Sequence, residues 1–139
     1  MKITILKTDN VVTIDSFGFD NIDLSSVGSD IHAIQFDTEL SKGHIEYNDE
    51  KVNKEITDIS SYQSIIDKHN QQKTEYDTQK QKDIDDFNAY KETYQYKRSI
   101  AYPSVVDQLD MMYWDNVNGT TTWKDAIAKI KSDIKKENE

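Results

Sequence analysis

Cysteine is absent from the 139-residue chain, which excludes disulfides and thiolate metal sites and leaves the redox compartment open. Proline occurs once, at Pro103, and the four glycines stand singly, so no glycine-rich phosphate cradle is present. Positive charge is scarce as well, with 17 Lys and Arg against 26 Asp and Glu, a formal net charge of -9. That balance opposes nonspecific nucleic-acid binding, which needs cations to neutralise phosphates. An anionic lipid surface would repel it too. Long apolar runs are also missing: no segment approaches the roughly 20 apolar residues of a membrane span, and residues 1–7 lack the apolar core of a signal peptide. A soluble protein made in a cytoplasm is therefore expected. With 35% apolar and 31% charged residues and a mean hydropathy of -0.84, burial must come from short, well-patterned segments. Elongation or dependence on a partner is expected.

What is present begins with β-branched runs over residues 2–7 and 11–15, separated by the turn residues Thr8, Asp9 and Asn10, which predicts a hairpin. Residues 16–21 and 24–30 are rich in Gly, Ser and Asn and read as loop with short turns. Residues 31–36 follow as a strand with His32, Ile34 and Phe36 on one face and Ile31, Ala33 and Gln35 on the other. Residues 43–47 are its partner, with Ile45 and Tyr47 opposite to His44 and Glu46. Residues 54–57 are a weaker last strand.

At Ser60-Ser61-Tyr62-Gln63 the pattern becomes helical, opened by a capping box. Neither proline nor glycine interrupts residues 60–97, and a helix of that length would span about 55 Å at about 1.5 Å per residue. Tyr62, Ile66, His69, Lys73, Tyr76, Lys80, Asp83, Phe87, Tyr90 and Tyr94 alternate in four-three spacing, apolar at both ends and polar in the middle. Lys73, Lys80 and Asp83 are costly to bury in a dry seam. The stripe fits a solvated connector between two packed ends, and an oligomeric coiled coil is the alternative.

Pro103 ends that helix, and Ser104 with Asp107 caps the next, which carries Val105, Leu109 and Met112 on a stripe widened by Val106 and Tyr113. Asn118-Gly119 supplies a turn, and Thr122-Trp123-Lys124-Asp125 starts a last helix with Trp123, Ile127, Ile130 and Ile134 on one face. Two short amphipathic helices make an αα-hairpin that needs a third surface. Phe87, Tyr90 and Tyr94, at the end of the long helix, are the expected supplier.

Candidate chemistry is sparse. His32 and His44 on neighbouring strands, with Glu46, could approximate a metal site, but no ligand spacing enforces it, and strand histidines on a half-exposed sheet are the simpler reading. Asp107, Asp110 and Asp115 resemble an acidic cluster, and carboxylates three residues apart on a helix can do acid–base work. Asp107, however, already has a capping role, and no nucleophile or phosphate cradle stands nearby. Asn118-Gly119-Thr120 matches a glycosylation sequon that the turn also explains. Tyrosine is used heavily around the proline, beside Trp114 and Trp123, and aromatic residues with polar tips suit protein interfaces.

Residues 98–131 resemble the C-terminal motif of a family of small bacteriophage tail proteins. The residues that carry the resemblance are Arg98, Tyr102-Pro103, Asp107-Gln108-Leu109-Asp110, Met111-Met112-Tyr113-Trp114-Asp115 and Trp123-Lys124-Asp125-Ala126-Ile127. Residues 31–36 and 43–47 and Ile56-Thr57-Asp58 are similar in order to the same family. The resemblance is strongest over 98–131, moderate over 31–58, and does not reach the N-terminal hairpin or the centre of the long helix. It implies a tail-fibre assembly chaperone or tail-associated protein.

The expected fold class is α+β: a small antiparallel β domain over residues 1–58, a long connecting helix over 60–97, and a helical hairpin over 98–139 resting on the end of that helix. No enzyme, cofactor, metal, nucleic-acid or membrane role is expected. The expected partners are phage tail-fibre or other tail proteins, bound in the host cytoplasm during assembly through Tyr102, Asp107, Asp110, Tyr113 and Trp114. The alternative is a structural piece of the virion tail, a homo-oligomer through the long helix. An enzyme using Asp107 and Asp110 is a third reading, for which the sequence offers no pocket.

Overall fold

The computed structural model describes residues 1–136. The fold is α+β, with a six-stranded antiparallel sheet followed by helices. The strands are β1 (Lys2–Leu6), β2 (Val11–Ile14), β3 (Phe17–Phe19), β4 (Ile31–Asp37), β5 (Lys42–Tyr47) and β6 (Lys54–Ile56), in the order β3-β2-β1-β4-β5-β6. β-branched residues suit the pleated, half-buried surface of β1 and β2. Their register pairs Ile3 with Ile14 and Ile5 with Val12, and on the other side of β1 pairs Ile3 with Phe36 and Ile5 with Ile34. One face therefore carries a continuous apolar set.

β3 lies where the sequence reads as loop. Asp15 and Ser16 both adopt positive φ, 47° and 71°, the geometry that a two-residue hairpin turn demands to match strand twist. The turn is held from outside. Lys2 N–H donates to the Asp15 carboxylate at 2.7 Å, and Asp15 N–H donates to Lys2 C=O at 2.9 Å. Asparagine or glycine usually advertises such a turn, and neither is present here.

β4 departs from simple alternation. Its pairing with β5 shifts between Ile31 and Ala33, a bulge that places Ile31, Ala33, Ile34 and Phe36 all in the buried set. His32 does not share the face of Ile34 and Phe36. It is half-buried, with Nδ1 3.0 Å from the Thr8 hydroxyl. Ile45 is buried, whereas Tyr47 beside it on that face is half-buried.

The core of this first unit is closed by two later segments. Ile22, Leu24 and Val27 from the β3–β4 connection are buried on it, and so are Ile65, Ile66 and His69 from the first turns of a helix. That helix, α1 (Gln63–Glu92), follows a 3-10 turn over Ser60–Tyr62. The expected capping box at Ser60 and Gln63 does not form. Ser60 instead donates to Asp58 through hydroxyl and backbone N–H, and Gln63 Nε2 donates to Asp67 at 2.8 Å, one turn on.

The chain divides into two compact units, Met1–Gln79 and Lys80–Glu139. The first takes in the start of α1, whose Ile65 and Ile66 belong to the sheet's core and whose His69 is buried beside Phe19. Beyond them α1 is open: every residue from 74 to 90 is exposed. No helix among the described residues is long and apolar enough to cross a membrane.

Helical structure does not run unbroken to residue 97. Thr93 leaves the helix with ψ 150°, and its hydroxyl accepts from Tyr96 N–H at 3.3 Å, capping α2 (Tyr94–Ala101). Threonine caps by this bond because it satisfies a donor that helix geometry leaves free. α3 (Val105–Asn118) and α4 (Thr122–Asp133) follow, with Gly119 between them in the left-handed region at φ 67°. Glycine ends a helix there without steric cost.

Candidate functional site

The C-terminal unit is held less by burial than by directed polar bonds. Among the described residues none after Asn70 is buried. Ser104 caps α3 as its sequence indicates, accepting from Asp107 N–H at 3.1 Å and donating to the Asp107 carboxylate at 2.6 Å. Gln108, one turn further on, donates to Pro103 C=O at 2.8 Å and accepts from Trp123 Nε1 at 3.2 Å. One side chain thus ties the proline break to both helices.

Asp115 performs the start of α4. Its Oδ1 accepts from the Thr120 hydroxyl at 2.6 Å, the Thr122 hydroxyl at 2.7 Å and Thr122 N–H at 2.9 Å, and its Oδ2 accepts from Trp123 N–H at 2.8 Å. The Thr120 hydroxyl, followed by the Thr122 and Trp123 donors, holds this carboxyl far below the ordinary carboxylate range. The N-cap residue of α4 is Thr121, not Thr122, and Thr121 makes no side-chain bond to the helix backbone. A carboxylate from the preceding helix substitutes for it.

Arg98 closes the other end. Its Nε donates to Ile134 C=O at 2.8 Å and its Nη2 to Lys131 C=O at 3.1 Å, while the guanidinium lies 5.2 Å from the Tyr94 ring centre. A cation on the last carbonyls of a helix satisfies free acceptors and complements the dipole. The third surface that the hairpin needs is therefore α2. Phe87 and Tyr90 of α1 stay exposed and touch Tyr96 of α2, with ring centres 6.4 and 5.4 Å apart.

The expected site residues separate under this geometry. Tyr102 is half-buried at the end of α2, its N–H bonded to Arg98 C=O at 3.0 Å. Asp107 is occupied as a cap. Asp110, Tyr113 and Trp114 are exposed and contribute nothing to the hairpin's bonding, and the Tyr113 and Trp114 rings meet edge to face at 5.3 Å. The acidic cluster of Asp107, Asp110 and Asp115 is thus two caps and one free carboxylate.

The stripe Val105, Leu109 and Met112, read from sequence as the core face of α3, lies open. Val105 is 72% and Leu109 61% exposed. α3 turns its Gln108, Met111 and Asp115 side inward instead, because hydrogen bonds to Trp123 and its neighbours fix the helix's rotation. Val106 and Val117 extend the open surface. Four-three spacing identifies an apolar stripe but not what covers it.

The histidines do not assemble. His44 Nε2 lies 2.9 Å from Glu46, which also accepts from Gln35 at 3.0 Å. His69 is buried, with Nε2 2.8 Å from Phe17 C=O and its ring 5.1 Å from that of Phe19. A carbonyl only accepts, so Nε2 carries a proton in this contact. Among the described residues, no three His, Asp or Glu side chains converge as metal ligands.

Comparison of the chain with protein-family models, with curated proteins and with solved structures finds no match in any of the three.

Proposed function

We propose that this chain is a bacteriophage tail protein, similar to tail-fibre assembly chaperones, that holds fibre or receptor-binding subunits through a non-catalytic face of α3. The observation that carries the reading is the exposed Tyr113–Trp114 pair beside the unpaired Asp110. Arg98, Gln108, Asp115 and Trp123, which share the tail-protein motif with them, are accounted for by the bonds that build the hairpin. Asp110, Tyr113 and Trp114 are not, and an exposed tryptophan that stabilises nothing internal is suited to anchor a partner.

Such binding takes place in the host cytoplasm during assembly and uses no cofactor. Co-expression with the phage fibre subunit tests it. Trp114→Ala should lower fibre recovery in the complex by about tenfold or more, the scale of losing an aromatic anchor. Fibre solubility and recovery that do not change would remove the proposal.

A second reading is a structural component of the virion tail, multimeric through α1. It is favoured by Ile84, Phe87 and Tyr90, which are exposed along that helix. Mass spectrometry of purified virions separates the two. Stoichiometric recovery supports the structural piece, and absence supports the chaperone.

A further inference from the structure

α3 and α4 present open apolar surface with opposite charge beside it. On α3, Val105, Val106, Leu109 and Met112 are exposed, and the helix holds three aspartates and neither Lys nor Arg. On α4, Trp123, Ile127 and Ala128 line a shallow groove of about 240 Å³ whose other walls are Lys124 and Lys131. Asp110, Lys124 and Lys131 form no side-chain ion pair or hydrogen bond among the described residues. Both halves of a complementary contact are thus present in one sequence.

We propose that they meet in a second copy of the chain: the α3 stripe of one protomer seats in the α4 groove of the other. A two-fold arrangement makes this contact twice and closes the assembly at a dimer. The pairing of unlike helices follows from charge. α3 against α3 would set Asp110 near its own copy with no cation to offset it, whereas α3 against α4 places Asp110 by the lysine rim. Need for a cover follows from size, because a 14-residue helix is marginal in water unless its apolar face is buried.

The contact leaves Trp114 available. At about 100° per residue, Trp114 points about 140° away from Leu109 whereas Tyr113 lies about 40° from it, so Trp114 is the residue that separates the proposed fibre contact from the self-contact. This inference does not rest on the functional reading.

Sedimentation equilibrium of the full chain, with circular dichroism to verify helix content, tests it. A dimer is expected at micromolar concentration, weaker at high salt. Leu109→Asp should raise its dissociation constant by about a hundredfold, since a charge then faces an apolar groove. Lys124→Glu with Lys131→Glu should likewise give a monomer. Adding Asp110→Lys to that pair should restore the dimer, which a merely misfolded variant could not do. Trp114→Ala should leave it intact. A wild-type chain that is monomeric throughout, a dimer indifferent to Leu109→Asp, or a triple variant that stays monomeric would overturn the proposal.

Discussion

Asp115 sits in the last turn of α3, yet its hydrogen bonds serve the first turn of α4. Negative charge is favoured there, at the positive end of a helix, by the same donors that hold the carboxyl ionised. The sign of the pH dependence follows. The folded-state value lies below the unfolded one, so the stabilisation is complete above about pH 4, the unfolded carboxylate value, and is lost as pH falls toward the folded value. Thermal melts monitored by circular dichroism should show the C-terminal helices weakening below about pH 4. Asp115→Ala should lower the neutral-pH melting temperature and remove most of that acid sensitivity. Asp110→Ala, five residues earlier in the same helix, should leave the neutral-pH melting temperature of the monomer unchanged, because no bond within the fold uses its carboxylate.

The elements differ in how plainly the sequence announces them. β1, β2, β4 and β5 follow from β-branched runs, and α3 and its cap follow from Ser104 and Asp107, because those signals act within a few residues. β3 was hidden, since its turn is held by Lys2, thirteen residues away from Asp15. The break at Thr93 was hidden too, because threonine is tolerated in a helix and reveals itself as a cap only once Tyr96 N–H is in place. At the candidate site, the aromatic and acidic residues were legible but their division of labour was not. Only the bonds of Gln108 and Asp115 show which face of α3 turns inward. Pairing between elements also gives Gly43 its reason: a Cβ there would stand 2.1 Å from Gln35 C=O and 2.8 Å from Phe36 Cα, across from it on β4. Gly43→Ala should cost about 1–3 kcal/mol, the scale of overpacking against backbone, measured by urea denaturation of the first unit.

For the molecule as a whole, apolar burial is confined to one of two units. The first unit, its sheet covered by Ile22, Leu24, Val27, Ile65, Ile66 and His69, holds every buried residue among those described, while the second unit relies on caps, an arginine latch and half-buried aromatics. Local stability follows burial. Native-state hydrogen exchange should therefore show the α3 and α4 amides exchanging well before those of β1 and β4, with a gap of about tenfold or more. Uniform protection across both units would contradict this. The strand order has a consequence in time. β1 lies at the middle of the sheet, but β4, its second neighbour, and the Ile65–Ile66 cover are made some 30 and 60 residues later. At about 5–20 residues per second, the first strand leaves the ribosome several seconds before its core can close. In that interval the nascent chain is an open ribbon of β1, β2 and β3 whose β1 edge still awaits β4, and its need for protection is greatest before any of the surfaces discussed above has been synthesised.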